Sequence, residues 1–420
     1  MKEKRVILMM AIILFAFANC NNVDSIEFTL EVEPTSYASK EVPVHVEVKL
    51  PVNFQKTPVE QLLVKLKSVD KKFINIPGQI VESVDGKYEL WWILPTTKGD
   101  GPAQWIANIT HSDNQKEHTF KWKNTPDKHL DLLFDGKHTF RYEYELDNHF
   151  ERGKTYSALN KPFYHIYDLK GESLITNDGA EDSEYPHHKG IMIGWRSLGF
   201  NGENISFWGM EDLNVQKHTE FKKNIAGPVL AQTEALIQWN DSSGVTIIEE
   251  KRLATIYKQS SPDILILDFT SSLKAVNGPV TLDGDPDHAG VQFRAHNDVA
   301  KDALGAKKAL YYSNQNIDSI DRQSSPDYNL PWVAMSYGLN NNSYSVLLMD
   351  NPDNPKQTSW SAYRDYGRFG PFPQKELDAD ETLSLQYRFW ISESDMPDKD
   401  ILSSKYEAYV KPVKIHVIIP

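Results

Sequence analysis

The feature that most constrains this chain is alternation. In Val42-Pro43-Val44-His45-Val46-Glu47-Val48-Lys49-Leu50 apolar and polar residues alternate with period two. Successive side chains of a strand leave opposite faces, so this pattern marks a strand with one face in a core and the other in water. Residues 88–94, 105–110 and 118–122 repeat it, separated by turn-rich stretches such as Lys98-Gly99-Asp100-Gly101-Pro102. About seven such strands predict an immunoglobulin-like sandwich over residues 20–125. The polar segment Lys123-Asn124-Thr125-Pro126-Asp127-Lys128 reads as a linker after it.

From Leu130 the β pattern resumes and runs nearly to the end. Residues 139–146, 246–252 and 344–349 alternate, whereas 264–269 and 383–390 are more continuously apolar, as strands buried on both faces would be. One helix is expected, over residues 397–410. A long antiparallel region without an internal repeat argues for one large sandwich over 130–420 and against a propeller. The fold class expected is all-β, in two domains, which suits a chain of 420 residues.

Composition removes several functions. With 45 Lys and Arg against 58 Asp and Glu, the formal charge is -13, so no overall basic field is available to hold nucleic acid or an anionic membrane. One cysteine excludes a disulfide framework and any multi-cysteine metal site. Neither a phosphate-binding glycine loop, a dinucleotide fingerprint nor a Gly-x-Ser-x-Gly elbow occurs.

That cysteine belongs to an address. Lys2, Lys4 and Arg5 precede the apolar run 6–18, and Cys20 follows. The run suits the apolar stretch of a signal peptide better than a membrane span. The expectation is a signal over residues 1–19, lipidation of Cys20, and a periplasmic or cell-surface protein anchored by lipid to the outer membrane.

Several islands of the second region resemble the PmoA-like family of secreted bacterial proteins, the so-called methane oxygenases. They are Lys161-Pro162-Phe163-Tyr164, Tyr185-Pro186-His187-His188-Lys189-Gly190, Phe207-Trp208-Gly209, His218-Thr219-Glu220, Asn354-Pro355 with Thr358-Ser359-Trp360, and Arg364-Asp365-Tyr366-Gly367. The family tends to carry Asp-His where this chain has Glu184-Tyr185, and Arg at Lys189. The resemblance implies a supersandwich similar to galactose mutarotase-like folds and an association with glycan degradation. It does not carry methane oxidation, which needs membrane helices.

The residues themselves offer three chemistries. His187 and His188 follow Pro186 and precede Gly190, so a bent backbone there would let adjacent imidazoles serve one site. Together with Tyr363 and Tyr366 they are candidate catalytic acids and bases. Arg294 and Arg364 are candidate carboxylate ligands, because a guanidinium fork binds both oxygens; Arg368, Lys189 and His296 extend the basic set. His218, Glu220 and Trp208 complete the expected binding residues. The second chemistry is a metal set of His187, His188, His218 and Glu220, the last two sharing a strand face if the strand is regular. The third is two-carboxylate glycoside hydrolysis using Glu249, Glu250, Asp283, Asp285 or Asp287, with His288 nearby. Trp195, Trp208, Trp332 and Trp360 could stack on sugars.

The function expected is therefore a secreted lipoprotein acting on oligosaccharides by elimination, as a carbon–oxygen lyase or dehydratase on uronic-acid glycans. No cofactor is required for that reading. The alternatives are a non-catalytic glycan-binding lipoprotein and a hydrolase or oxygenase dependent on a divalent metal. The partners expected are an oligosaccharide and, through Cys20, a membrane lipid.

Overall fold

The computed structural model describes residues 25–83, 85–99, 101–112, 118–147, 159–210, 212–283, 288–301, 309–315, 329–364 and 366–419. The architecture is all-β, as the alternation requires. Cys20 and the expected signal lie outside the described residues, as do Asp285, Asp287 and the side chains of Tyr363 and Arg364. Among the described residues no helix is long and apolar enough to cross a membrane.

The N-terminal strands pair into one seven-stranded sheet, in the order Lys40–Val48, Tyr88–Thr96, Ile76–Glu82, Leu62–Ser68, Ala103–His111, Ser25–Val32, Ile415–Ile419. Its two edge strands approach each other, so the sheet curls around a core of Phe28, Leu30, Val44, Val64, Leu90, Trp92 and Ile109.

Two domain boundaries shift. Lys123–Lys128 is no linker: Phe120–Thr125 pairs antiparallel with His129–Phe134, and the turn between them turns through Asp127 at φ 62°. At the other end, Ile415–Ile419 pairs with Ser25–Val32 and closes the N-terminal sheet, so residues 130–420 are not one unit. The physical reason is that an isolated edge strand needs a partner for its amides and carbonyls, and this one finds it in the first sheet.

The remainder is a sandwich of two eight-stranded antiparallel sheets with a small four-stranded sheet beside them. One sheet runs Val215–Ala226, Leu230–Asn240, Thr246–Lys258, Asp263–Ala275, Thr382–Ser392, Asn342–Asp350, Trp332–Leu339, Leu310–Ser313. Its inner residues, among them Leu265, Leu267, Phe269 and Phe389, join the main core. Its outer residues Ile266, Leu347, Trp332 and Trp390 pack against Trp91 and Val81 of the N-terminal sheet and against Leu402 of the helix Lys399–Val410. Burial on both faces explains the continuous apolar runs at 264–269 and 383–390. Gln79 ties the sheets together, its Oε1 accepting the backbone N–H of Val229 at 3.1 Å and of Leu230 at 3.0 Å.

The second sheet runs Ser359–Arg364, Arg368–Phe372, Ala289–Arg294, Ile191–Trp195, Phe163–Ile166, Lys137–Glu143, His129–Phe134, Phe120–Thr125. Ile191, Ile193, Val291, Phe293 and Phe369 point into the sandwich core. The alternate residues occupy its other face, and that face is polar.

Candidate functional site

The polar face follows from the pairing register. Met192 opposes Gln292, and Arg294 opposes Arg368 across neighbouring antiparallel strands. Paired residues of a pleated sheet project to the same side, so these side chains form one patch opposite the core. Both arginines have 0% exposure, as does Gln292. Arg368 donates through Nη1 to Gln292 Oε1 at 3.1 Å and Ser361 Oγ at 2.9 Å, and through Nε to the Tyr366 hydroxyl at 3.4 Å. Arg294 donates through Nη1 to the carbonyls of Ala295 at 2.7 Å and Tyr366, and through Nη2 to Glu184 O at 3.3 Å. Arg294 Nε and Arg368 Nη2 are buried without a partner.

The other buried arginines among the described residues, Arg252 and Arg388, are neutralised, as is the half-buried Arg141. Arg252 forms a two-point pair with Glu250 at 2.7 and 2.8 Å, Arg388 pairs with Asp268 at 2.5 and 2.7 Å, and Arg141 meets Asp131 at 2.7 Å. Arg294 and Arg368 have no carboxylate within ion-pair distance among the described residues. Burial lowers the Arg294 guanidinium to about 10, which leaves it charged at neutral pH. An uncompensated buried charge costs several kcal/mol, on the order of the whole margin of stability, so two of them together call for an anion.

Above the arginines sits the histidine pair. His188 N–H donates to Tyr185 O at 2.9 Å, which closes a turn over residues 185–188. That bend brings both imidazoles to one side, their ring centres 4.1 Å apart. Gly190 makes the turn possible: at φ 27° it lies so close to the neighbouring strand that a Cβ would stand 2.1 Å from Tyr164 O. Asn177 holds the loop from behind, its Nδ2 donating to His188 O at 2.7 Å.

His188 is 2% exposed and neither ring nitrogen has a partner. Its ring lies 6.0 Å from Tyr366, nearly parallel, and 5.5 Å from Trp208. Burial first, and then the charges of Arg368, His187 and Arg294, hold its pKa well below the usual histidine range. Burial and Lys161 push His187 down to about 2. Both imidazoles are therefore neutral at physiological pH, and His188 keeps a ring lone pair without a partner.

Trp208 forms the floor. The Arg368 guanidinium lies 5.2 Å from its ring centre, Lys161 donates through Nζ to its carbonyl, and His288 lies 5.6 Å from its ring. The loop that carries it is strained: Met210 at φ 60° and Leu213 at φ 66° occupy the left-handed region, as does Tyr185 at φ 56°. Bulky residues held there cost roughly 1–3 kcal/mol each and concentrate at functional sites.

The structure thus gathers His187, His188, Tyr366, Arg294, Arg368, Trp208 and His288. Tyr363 and Arg364 stand on the adjacent strand, Arg364 in register with Arg368. Lys161, Gln292 and Tyr185 were missed by sequence reasoning. The period-two spacing of Gln292 and Arg294 on one strand was the available signal.

Other expectations fail for identifiable reasons. His218 and Glu220 do not join the site. A bulge at Thr219 sets His218 opposite Ile237 but Glu220 opposite Leu236, so the two residues face opposite sides of the strand. His218 packs on Tyr144 and Phe221, and Glu220 pairs with Lys222 at the surface, 2.6 Å away. The four-residue metal set is therefore not assembled, and among the described residues no three His, Cys, Asp or Glu side chains are arranged to hold a metal ion. Glu250 is consumed by Arg252 and receives Trp239 Nε1 at 2.9 Å, while its neighbour Glu249 is exposed on the opposite face. Asp283 accepts from Gln374 at the surface. Trp195 packs against Trp239, Trp360 stacks on Phe369, and Trp332 belongs to the layer under the helix. Lys189 lies against Phe163, 5.6 Å from its ring centre, and His296 meets Asp298 at 3.5 Å.

No curated protein matches the chain. Among solved structures it is similar to the GalM/aldose epimerase homologue from C. elegans, with 8% identity, a TM-score of 0.28, and coverage of 66% of this chain and 99% of that one. The all-β fold stands on the strand pairing itself. The resemblance to the PmoA-like family is overturned: the islands that suggested it fall within residues 129–405, which match the model of a different family, one of unknown function. The association with glycan degradation that the resemblance implied therefore lapses with it. On that match, which spans most of the chain, the protein belongs to the DUF6807 family.

Proposed function

We propose that this site binds a sugar acid within an oligosaccharide and eliminates across the bond next to its carboxylate. The observation that carries the reading is the pair of buried arginines without a carboxylate partner among the described residues, with a tyrosine hydroxyl on one of them and a neutral histidine within reach of both charges. A carboxylate on Arg294 Nε and Arg368 Nη2 would satisfy both free donors and offset one of the two charges. Tyr366, with the Arg294 guanidinium 4.7 Å from its ring centre, supplies aromatic surface of the kind that packs on a sugar ring.

The chemistry then follows from the groups present. The arginines neutralise the carboxylate and so acidify the proton on the carbon beside it. His188 takes that proton on a free ring nitrogen, the C–H electrons form a carbon–carbon double bond, and the neighbouring carbon–oxygen bond breaks. The departing oxygen takes a proton from the Tyr366 hydroxyl, and the resulting phenolate rests against Arg368 Nε. An anion seated on the arginines also offsets the charges that keep His188 neutral, so its basicity rises when ligand is bound. The departing group decides the class: a sugar hydroxyl makes the protein a lyase, water makes it a dehydratase.

The reading includes an address: removal of residues 1–19 and lipidation of Cys20, with the domain held at the outer membrane. Incorporation of labelled palmitate by the full chain, lost in Cys20→Ala, tests it.

The reaction is tested by incubating the protein with polyuronide oligosaccharides and following ultraviolet absorbance and product mass. Growth of an unsaturated uronate, abolished in His188→Gln and Arg368→Met, is expected. Binding without any new product would leave a glycan receptor and remove the elimination.

A further inference from the structure

We propose that Tyr185 is a stacking platform for the sugar next to the one whose carboxylate the arginines hold, which makes the site selective for oligosaccharides over single sugar acids. This rests on the sugar-acid reading above and extends it by one subsite.

Among the described residues Tyr185 is the one aromatic among the exposed large hydrophobic side chains, at 45% exposure. Its ring lies 5.0 Å from Tyr366, 5.5 Å from His188 and 6.3 Å from His187. It is therefore packed on the buried site on one side and open to water on the other. Nothing in the core requires it there, since the groups beneath it are polar or charged.

Its backbone is held by force. An aromatic residue at φ 56° is an outlier. Three contacts impose the conformation: the Tyr185 carbonyl accepts His188 N–H at 2.9 Å, Glu184 N–H donates to Asn297 Oδ1 at 2.9 Å, and Glu184 O accepts from Arg294 Nη2 at 3.3 Å. The third is decisive for the inference, because the carboxylate-binding arginine itself fixes the segment that presents the ring. A flat amphipathic ring with one free face, fixed beside an anion receptor, suits the C–H face of a neighbouring pyranose.

The test uses two variants and two ligands. Tyr185→Gly removes the ring while suiting a left-handed backbone, so it keeps the turn; Tyr185→Phe keeps the ring. Calorimetry would compare a monomeric uronate with the matching tetrasaccharide, with thermal denaturation confirming folding. The expected result is that Tyr185→Gly weakens tetrasaccharide binding by about tenfold more than monomer binding, the scale of one aromatic contact, while Tyr185→Phe stays within about twofold of the wild type. Equal losses on both ligands, or no loss on the tetrasaccharide, would overturn the platform and leave the sugar-acid site intact. Failure of the wild type to bind either uronate would instead sink the underlying reading.

Discussion

Arg294 and Arg368 stand opposite each other on adjacent antiparallel strands, both fully buried, with no described carboxylate within ion-pair distance of either. Arg252 lies just as deep but carries Glu250 on two hydrogen bonds. On the proposed reading, the difference between a finished ion pair and an unfinished one separates a structural arginine from ligand-binding ones.

Substitution should expose that difference. Arg368→Met removes a charge with no carboxylate partner among the described residues, so thermal stability should change little, while affinity for an anionic ligand should fall by about 100-fold or more, as when one member of a buried charge pair is lost. Arg252→Met strands the buried Glu250 and should cost about 3–5 kcal/mol of stability. Denaturant melts and calorimetry on both variants check the contrast.

Gly190 should tolerate no side chain. An added Cβ would meet Tyr164 O at 2.1 Å, so the turn or the strand must move. Gly190→Ala is expected to lose about 3 kcal/mol or more in urea unfolding and to displace His188, abolishing ligand binding even where the fold survives.

Acid should destabilise the protein from near pH 6.5 downward, in part through His165. This side chain is 3% exposed, and burial lowers it to about 3. Below pH 6.5 the unfolded chain takes up a proton there that the folded chain refuses until about pH 3, so stability is lost as pH falls through that window, by at most about 1.4 kcal/mol per pH unit. Glu143, raised to about 7 by burial, acts in the opposite sense: the folded chain holds its proton longer, and that contribution is lost as pH rises toward 7. Melting temperatures between pH 7 and 5 should fall less steeply in His165→Gln than in the wild type.

Gln79→Ala should loosen the N-terminal sheet from the sandwich. It strands the buried N–H groups of Val229 and Leu230, at about 1–3 kcal/mol each, and should lower the melting temperature without changing the ligand affinity of the folded protein.

Much of this was legible in the sequence because alternation reports directly on a two-faced strand. The all-β class follows from it; the helix expected over 397–410 came from helical spacing after a proline and is observed at Lys399–Val410, and the doubly buried strands at 264–269 and 383–390 were marked by continuous apolar runs. His187 and His188 were recognisable because proline before and glycine after announce a bend. What stayed hidden depends on pairing between distant segments. Thr219 carries no mark that it is a bulge, yet it turns Glu220 away from His218. Ile415–Ile419 looks like any other strand and gives no sign that its partner is Ser25–Val32. Arg252 and Arg368 are the same residue type on similar strands; Arg252 meets Glu250 two residues before it on its own strand, whereas Arg368 has Tyr366 at that spacing.

The central claim is that two buried arginines, uncompensated among the described residues, bind a carboxylate, and one titration tests it most directly. Calorimetry of the wild-type protein with an oligouronide and with its methyl ester separates the charge from the sugar. The account predicts that the free acid binds at least about 100-fold more tightly than the ester, with the preference lost in Arg294→Met and Arg368→Met. Equal affinity for acid and ester, or a preference that survives both substitutions, would contradict it.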